Sequence, residues 1–248
     1  MLKEARFSII LEAVSERKYV SLRTLMELTQ SSESTVRADL IELDQMGKLI
    51  RLRGGAQALN DASLSYELSV EDKMGIQLPA KRTIAEKAVS LVHTGQMIYV
   101  DAGTSTYAFI DALDVPGIKI VTDSYIIAKK AYQKGYTTYV IGGEFKASTD
   151  AFIGPMAQEI LNRFRFDVGF FGTNGIDLKQ GFTTPDVEEA AIKMKAMSQC
   201  NALYVLADNS KFDVVTAVSF HPFDGSILIT DEITKPHYEG LGILEASK

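Results

Sequence analysis

The sequence predicts a two-part α/β protein, with a small winged helix-turn-helix domain before a larger, mostly parallel α/β domain. Three helical stretches and a short basic hairpin occupy residues 1–58, the pattern of a winged helix-turn-helix. Residues 59–79 are polar and lack a regular apolar period, which is typical of a linker. In residues 80–248, short β-rich runs alternate with helix-length segments, and this alternation predicts right-handed crossovers and a parallel sheet.

The composition is that of an ordinary folded chain. Its 248 residues are 46% hydrophobic and 23% charged, and the apolar runs are too short to cross a bilayer. The single cysteine, Cys200, fits a reducing cytoplasm, and no Cys/His cluster has the spacing of a metal site. The net charge of −6 is uneven, because residues 1–58 carry nine Lys or Arg and eight Asp or Glu, against 17 and 24 in the remainder. This asymmetry indicates two parts with different partners.

Each of the three predicted helices carries one apolar face. These faces comprise Phe7, Ile10, Leu11 and Val14 in the first helix, Leu22, Leu25 and Leu28 in the second, and Val36, Leu40 and Leu43 in the third. Ser32 is placed to cap the third helix, and Gly47 is placed to end it. The short polar break before Ser32 is the length that a helix-turn-helix requires.

The third helix and the hairpin after it point to duplex DNA. In the hairpin, Arg51 and Arg53 alternate with apolar residues, and Gly54-Gly55 is predicted to turn the chain. A helix fits the major groove, where outward residues near its N-terminus reach base edges or phosphates. We expect DNA contacts from Ser34, Thr35, Arg37, Ala38, Lys48, Arg51 and Arg53, with further phosphate contacts from Lys3 and Arg6. Any small helical bundle with surface charge shares this periodicity, but the turn length and the basic wing favour DNA.

Six β-rich runs are predicted to form the sheet of the second part. They are Met97–Val100, Ile118–Val121, Thr138–Ile141, Val168–Phe171, Leu203–Ala207 and Ile227–Ile229. Five of the six are followed by small, hydroxylated or charged residues. In open α/β sheets ligands bind outside the carboxyl ends of the strands, so these five loops are candidates for one site.

The loop residues predict a site for a polar, hydroxyl-rich ligand. They are Asp101, Gly103, Thr104, Ser105, Thr106, Thr122, Asp123, Gly142, Gly143, Asn174, Gly175 and Lys211. The first loop precedes a helix, whose N-terminal N–H groups can hold a phosphate, and Lys193 and Lys211 are candidate countercharges. A single loop of this kind more often only turns the chain, but five at one edge favour a site. No G-x-G-x-x-G follows a strand, which argues against a dinucleotide.

Residues 31–40 read SSESTVRADL and are followed by Leu43, Gly47-Lys48-Leu49 and Gly54-Gly55-Ala56. This pattern resembles the N-terminal signature of DeoR/GlpR-type bacterial regulators of sugar metabolism. Two positions depart from it: the family usually has Arg-Arg-Asp where this chain has Arg37-Ala38-Asp39, and His where Arg53 stands. The missing helix arginine should weaken DNA contact and the extra wing arginine can offset that loss. The operator sequence therefore does not transfer from relatives.

The second part continues the resemblance, through the strand-end loops, residues 181–186 (GFTTPD), Glu189 with Lys193, and residues 208–211 (DNSK). These stretches are similar to the effector domain of DeoR-type regulators, which resembles the ribose-5-phosphate isomerase and CoA-transferase-like fold. The resemblance implies no cofactor and a sugar phosphate as inducer, with fructose 1-phosphate or tagatose 6-phosphate as candidates and residues 103–106 around the phosphate. It implies that the sugar is lined by Thr122, Asp123, Gly142, Asn174, Gly175, Glu189 and Lys193, and it adds Thr183 to the site.

The resemblance leaves alternatives open. A sugar-phosphate isomerase-like enzyme with a DNA-binding head would need carboxylates that move a proton between adjacent carbons. The stretch similar to the isomerase Asp-Gly-Ala-Asp-Glu is residues 171–175, FGTNG, in which Phe171, Asn174 and Gly175 offer no base. We therefore expect a non-enzyme, a cytoplasmic repressor of a phosphotransferase-linked carbohydrate operon, with a transcriptional activator as the alternative. Because helix-turn-helix proteins pair half-sites, we also expect a homodimer or homotetramer.

Overall fold

The computed structural model describes residues 2–17, 19–52, 54–58, 70–74 and 76–247. The chain forms two compact units, Met1–Ile76 and Gln77–Lys248, which are called the N-terminal unit and the C-terminal unit below. Within the described ranges, no helix is long and apolar enough to cross a bilayer.

The N-terminal unit is a winged helix-turn-helix, as predicted. Its elements are α1 (Lys3–Arg17), β1 (Tyr19–Ser21), α2 (Leu22–Thr29), α3 (Glu33–Gln45), β2 (Ile50–Leu52), β3 (Gly55–Gln57) and α4 (Val70–Met74). Strands β2 and β3 form the antiparallel hairpin, and β1 pairs with the other edge of β3, giving the order β1-β3-β2. Strand β1 was not predicted, because three residues carry too little periodicity to be recognised.

The apolar faces of α1, α2 and α3 meet in one core. The fully buried members predicted from the sequence are Ile10, Val14, Leu25, Val36, Leu40 and Leu43. The prediction for Leu28 is wrong, since its side chain is 39% exposed. Three residues along a helix fall about 60° short of a full turn. Two such steps therefore carry Leu28 away from the face that holds Leu22 and Leu25.

Gly55 determines how closely β3 approaches β1. A Cβ atom at this position would lie 2.1 Å from the carbonyl oxygen of Val20 and 2.9 Å from Ser21 Cα, so only glycine fits. The sequence predicted Gly54-Gly55 as the turn, but Leu52 pairs with Gly55 across the ladder, and Gly55 already belongs to β3. Of the two glycines only Gly54 lies in a turn, because the residue without a side chain at position 55 is needed inside the strand.

The predicted linker, residues 59–79, is partly helical. Helix α4 lies within it, and α5 (Leu78–Val89) begins before its end, with Pro79 in the first turn where a missing N–H is tolerated. Residues 59–69 and 75 lie outside the described residues. The boundaries 1–58, 59–79 and 80–248 therefore remain predictions, and the division into compact units falls at Ile76 and Gln77.

The C-terminal unit is built on a seven-stranded parallel sheet, as predicted. After α5 its elements are β4 (Met97–Val100), α6 (Thr104–Ala112), β5 (Lys119–Thr122), α7 (Tyr125–Gln133), β6 (Thr137–Val140), β7 (Glu144–Lys146), β8 (Ala151–Ile153), α8 (Pro155–Leu161), β9 (Phe166–Gly172), β10 (Gly175–Asp177), β11 (Gly181–Thr184), α9 (Val187–Met197), β12 (Cys200–Leu206), β13 (Val218–His221), β14 (Leu228–Thr230) and β15 (Leu244–Glu245). The strand order is β15-β14-β12-β9-β4-β5-β6, and every neighbouring pair is parallel. All six predicted strands are present, with bounds displaced by a few residues.

Each face of the parallel sheet carries its own apolar core. Consecutive strand residues alternate between the two cores: Ile98 and Val100 pack beside α5, α6 and α7, and Tyr99 packs beside α8 and α9. Both faces are therefore covered, as parallel sheets require. The antiparallel sheet β10-β11-β13 and the hairpin β7–β8 were not predicted, because their strands are only three or four residues long.

Candidate functional site

Caps at both ends fix helix α3 in the N-terminal unit. At its start, Ser32 Oγ accepts a hydrogen bond from the Thr35 N–H at 3.3 Å, as the sequence predicted for Ser32. At its end, Gly47 lies just beyond the helix and the Lys48 N–H donates to the Leu43 carbonyl at 2.9 Å. The Ser32 hydroxyl also exchanges hydrogen bonds with the hydroxyls of Ser34 at 3.0 Å and Thr35 at 2.8 Å, so the start of α3 is fixed by its own polar residues.

The outward face of α3 carries the residues predicted to contact DNA. Ser34, Arg37 and Ala38 are exposed, and Thr35 is half-buried. Arg37 is paired with Glu33 one turn earlier, with its Nε donating to Glu33 Oε1 at 2.8 Å. A DNA contact by Arg37 would have to replace this exposed ion pair, which is a weak interaction in water.

Arg6 has a structural role, contrary to its prediction as a phosphate contact. Its Nε donates to Asp39 Oδ2 at 2.6 Å and its Nη2 to Asp39 Oδ1 at 3.0 Å, and Asp39 is buried. The hydrogen bond to Asp39 raises the pKa of Arg6. This two-point contact joins α1 to α3 on the inner side of the recognition helix. Lys3, the other predicted phosphate contact on α1, pairs with Glu42 Oε2 at 2.5 Å.

The wing is joined to the end of α3 through its backbone. The Arg51 N–H donates to Asp44 Oδ1 at 2.9 Å, while the side chains of Arg51 and Lys48 are exposed. Their exposure is compatible with contacts to a DNA backbone, which stay a prediction. Arg53, the third predicted wing contact, lies outside the described residues.

In the C-terminal unit, the strand order changes direction between β4 and β9. From β4 the chain adds β5 and β6 on one side, whereas β9 lies on the other side and leads to β12 and β14. Such a switch point opens a crevice at the carboxyl ends of the two central strands. The loops after β4, β5, β6, β9 and β12, which hold most of the predicted ligand contacts, all leave this edge of the sheet.

A buried ion pair between Asp101 and Lys193 lies at the switch point. Asp101 follows β4, and its Oδ2 accepts hydrogen bonds from Lys193 Nζ of α9 and from the Gly172 N–H at the end of β9, the latter at 2.9 Å. Both side chains are almost wholly buried. Asp101 Oδ1 is buried too and has no hydrogen-bond partner among the described residues. An unsatisfied buried acceptor is costly, so this oxygen is a candidate to bind a ligand hydroxyl.

A second buried carboxylate, Asp123, lies close to this pair. Asp123 Oδ1 accepts a hydrogen bond from the Ala102 N–H at 2.8 Å. Burial, with a further contribution from the negative charge of Asp101, holds the pKa of Asp123 well above its ordinary value. Burial lowers the pKa of Lys193, but the carboxylates of Asp101 and Glu189 outweigh it and raise the pKa overall. Lys193 therefore remains a cation in the crevice.

Replacing Asp123 with asparagine is expected to raise the free energy of unfolding at neutral pH. A buried acid with a raised folded pKa keeps a proton that the unfolded chain has lost, so its contribution falls as pH rises from about 4, the unfolded value, through the folded pKa. Each unit of pKa difference corresponds to about 1.4 kcal/mol, and asparagine keeps the acceptor for the Ala102 N–H. Urea unfolding of both proteins between pH 5 and pH 8 checks this, and parallel pH profiles would contradict it.

The loop after β4 offers backbone donors to a bound anion. Helix α6 begins at Thr104, and its N-cap residue, Gly103, provides no side-chain cap for the first turn. The Thr106 hydroxyl donates to the Gly103 carbonyl at 2.9 Å, which shapes the loop, and Ser105 is half-buried. The hydroxyl of Thr122, at the end of β5, accepts a hydrogen bond from the Ser124 N–H at 3.0 Å. The first turn of α6 is therefore the part of this edge best able to hold a phosphate.

Glu189 is held by groups that the sequence did not predict. Its Oε1 accepts hydrogen bonds from Lys146 Nζ at 2.6 Å and from the Thr149 hydroxyl at 2.7 Å. Lys146 also donates to Asp186, the N-cap of α9, at 3.0 Å. These contacts join the β7–β8 hairpin to the start of α9. Lys146 and Thr149 lie some 40 residues before Glu189 in the sequence, so no local motif links them to it.

The other predicted ligand contacts are spread along the same edge. Gly142 and Gly143 follow β6, and Lys211 lies in the short turn after β12. Asn174 Oδ1 accepts a hydrogen bond from the Thr184 hydroxyl at 3.3 Å. Two further members also make internal contacts: Thr183 Oγ1 accepts a hydrogen bond from the Thr216 N–H, and a Cβ on Gly175 would meet the Val214 carbonyl at 2.2 Å. Their part in ligand binding stays a prediction.

Both units match known protein families over the ranges described above. The family described as "DeoR-like helix-turn-helix domain" matches residues 6–62, and the family described as "DeoR C terminal sensor domain" matches residues 76–232. The chain belongs to the DeoR family. As a DeoR-family member it carries a DNA-binding domain and a sensor domain in one polypeptide.

Several relatives of this DeoR-family protein are similar along most of their length. An HTH-type transcriptional regulator named FruR from Bacillus subtilis is 38% identical, with 100% of both chains covered. The HTH-type transcriptional regulator GlpR of Haloferax volcanii is 32% identical over 93% of this chain and 91% of that one. A lactose phosphotransferase system repressor of Staphylococcus epidermidis is 33% identical over 85% and 84%. The matched relatives are transcriptional regulators, so this DeoR-family chain is a transcriptional regulator.

A solved structure also resembles part of this DeoR-family chain. Ribose 5-phosphate isomerase A from Methanocaldococcus jannaschii is similar over 53% of each chain, with 18% identity and a TM-score of 0.39. A likeness at this level carries no argument about activity.

Proposed function

We propose that this DeoR-family regulator represses a phosphotransferase-linked carbohydrate operon and leaves its operator when a sugar phosphate binds the C-terminal unit. The observation that best supports this proposal is the buried Lys193–Asp101 pair at the switch point, near the first turn of α6, which has no side-chain cap. The α6 turn and Lys193 supply positive potential for a phosphate. The unpartnered Asp101 Oδ1 and the Asp123 carboxyl supply groups for sugar hydroxyls.

The relatives support the operon class. One of them is named a lactose phosphotransferase system repressor, which supports a phosphotransferase-linked operon as the class controlled here. Fructose 1-phosphate and tagatose 6-phosphate are the candidate inducers in this proposal, which places the regulator in the cytoplasm. A homodimer or homotetramer would supply the paired heads that a two-fold operator needs.

Induction in this proposal is a shift between two states of the regulator. The sugar phosphate binds the state with low operator affinity more tightly than the state with high affinity, and the population follows that difference. Moving the protein from almost fully DNA-bound to almost fully released takes about 5.5 kcal/mol of differential binding.

A thermal-shift screen with a matched operator assay tests the proposal. A ligand present at about 100 times its Kd stabilises the folded state by about 2.7 kcal/mol, which raises Tm by about 5–10 °C in a chain of this size. We expect this shift from fructose 1-phosphate or tagatose 6-phosphate, and none from fructose, tagatose or inorganic phosphate alone. The same sugar phosphate should release the protein from operator DNA in a gel-shift assay. If no sugar phosphate does either, the proposed inducer class is wrong.

The enzyme and activator alternatives are separated by two further readouts. The perturbed carboxylates in the crevice are the kind of groups that catalysis uses, so each binding sugar phosphate is also tested for isomerisation by NMR. Turnover would favour the isomerase-like alternative. A reporter gene behind the bound operator reports the sign of regulation: expression that rises on deletion of the regulator supports repression, and expression that falls supports activation.

A further inference from the structure

The outward face of α3 combines one cation with two apolar side chains. Ser34, Arg37, Ala38 and Ile41 follow one another at i, i+3, i+4 and i+7, so they form one solvent-facing stripe. Ile41 is 42% exposed, Ala38 is exposed, and neither belongs to the apolar core of the N-terminal unit. The stripe thus holds an apolar pair: Ala38 is adjacent to Arg37, the single cation, and Ile41 lies one turn beyond it.

An exposed isoleucine in this position has one suitable partner on duplex DNA. The phosphates and most base edges offer charge or hydrogen-bonding groups, which an aliphatic side chain cannot satisfy. The exception in the major groove is the C5-methyl group of thymine. Alanine and isoleucine side chains at successive turns can cover such a methyl group while Arg37 contacts a neighbouring base or phosphate.

We propose that Ala38 and Ile41 recognise a thymine methyl group in each operator half-site, with Ile41 as the specificity-determining residue. This inference rests on the proposed function as a DNA-binding regulator. In this proposal Ala38 makes an apolar contact at the position where the family pattern has a second arginine. The operator is then selected partly by shape and burial, and less by charge, than a helix with two arginines would allow.

The test uses deoxyuridine in place of thymidine, because uracil keeps the hydrogen-bonding groups of thymine and lacks only the methyl. Duplexes that the full-length wild type selects from a random library are synthesised with each thymidine replaced in turn. Burying one methyl is worth about a fourfold change in affinity. At one position per half-site we expect the wild type to lose about fourfold, and Ile41→Ala to bind the thymidine and deoxyuridine duplexes equally well.

A matched control separates the contact from a general effect of surface truncation. Leu28 is an apolar side chain of similar exposure on α2, so Leu28→Ala should keep both the affinity and the deoxyuridine sensitivity of the wild type. Selection of no duplex at all would overturn the proposed function and this inference with it. Selection of a duplex that tolerates deoxyuridine everywhere, or an Ile41→Ala variant as sensitive as the wild type, would overturn the inference alone.

Discussion

Replacing Lys193 with methionine is expected to lower the free energy of unfolding by about 3–5 kcal/mol and to abolish the response to a sugar phosphate. Methionine keeps the apolar stem of the lysine and removes only the ammonium group. Asp101 is then left buried without its counter-ion, with Asp123 close by. Urea unfolding measures the first effect, and inducer-dependent release from operator DNA measures the second.

A double variant distinguishes the loss of stability from the loss of binding. Asp101→Asn in the Lys193→Met background removes the unpaired buried charge, so most of the lost free energy of unfolding should return. The response to the sugar phosphate should not return, because the cation is still missing. A double variant that responds normally would exclude Lys193 from the site. A single variant as stable as the wild type would contradict the expected cost of leaving the buried Asp101 without its counter-ion.

Replacing Arg37 with alanine is expected to weaken operator binding by about 1–3 kcal/mol if the arginine contacts a base, with relaxed preference at that base pair. Arg37 is exposed on the outward face of α3, and only the Glu33 pair has to be given up on binding. Fluorescence anisotropy with the operator and with point-substituted operators measures both effects. A phosphate contact would instead weaken binding to all sequences alike and reduce the salt dependence by about one ion.

Arg23 provides the control for this variant. It forms the same i, i+4 ion pair with Glu27, on the exposed side of α2, so Arg23→Ala removes an equal charge in an equivalent local setting. Its effect on operator affinity should be small compared with that of Arg37→Ala. Equal effects of the two variants, alike on all operator sequences, would contradict a base contact by Arg37.

The meeting of the strand-end loops at one edge of the sheet was predictable from the sequence because of a property of parallel sheets. Residues that follow successive parallel strands all come to one edge, so Asp101, Asp123 and Gly142 could be grouped without knowing the strand order. The apolar period likewise identified α1 and α3. These inferences depend on local regularity, which a single sequence displays.

The contacts within the sites were not predictable, because they join distant parts of the chain. Asp101 and Lys193 were each expected in the site, but their direct pairing spans 92 positions and depends on how α9 packs on the sheet. The same holds for Lys146 with Glu189, across 43 positions. Arg6 was assigned to phosphate because its buried partner Asp39 lay within the motif of the recognition helix and could not be recognised as a structural residue.

The bond between Arg6 and Asp39 has a consequence for how new binding preferences can arise. It is made on the inner side of α3, so changes of the outward side chains at positions 38 and 41 leave this contact in place. The joint between α1 and α3 is therefore kept when those two residues change. One scaffold can thus acquire preferences for different promoters, by natural drift or by directed selection, while α1 and α3 stay joined in the same way.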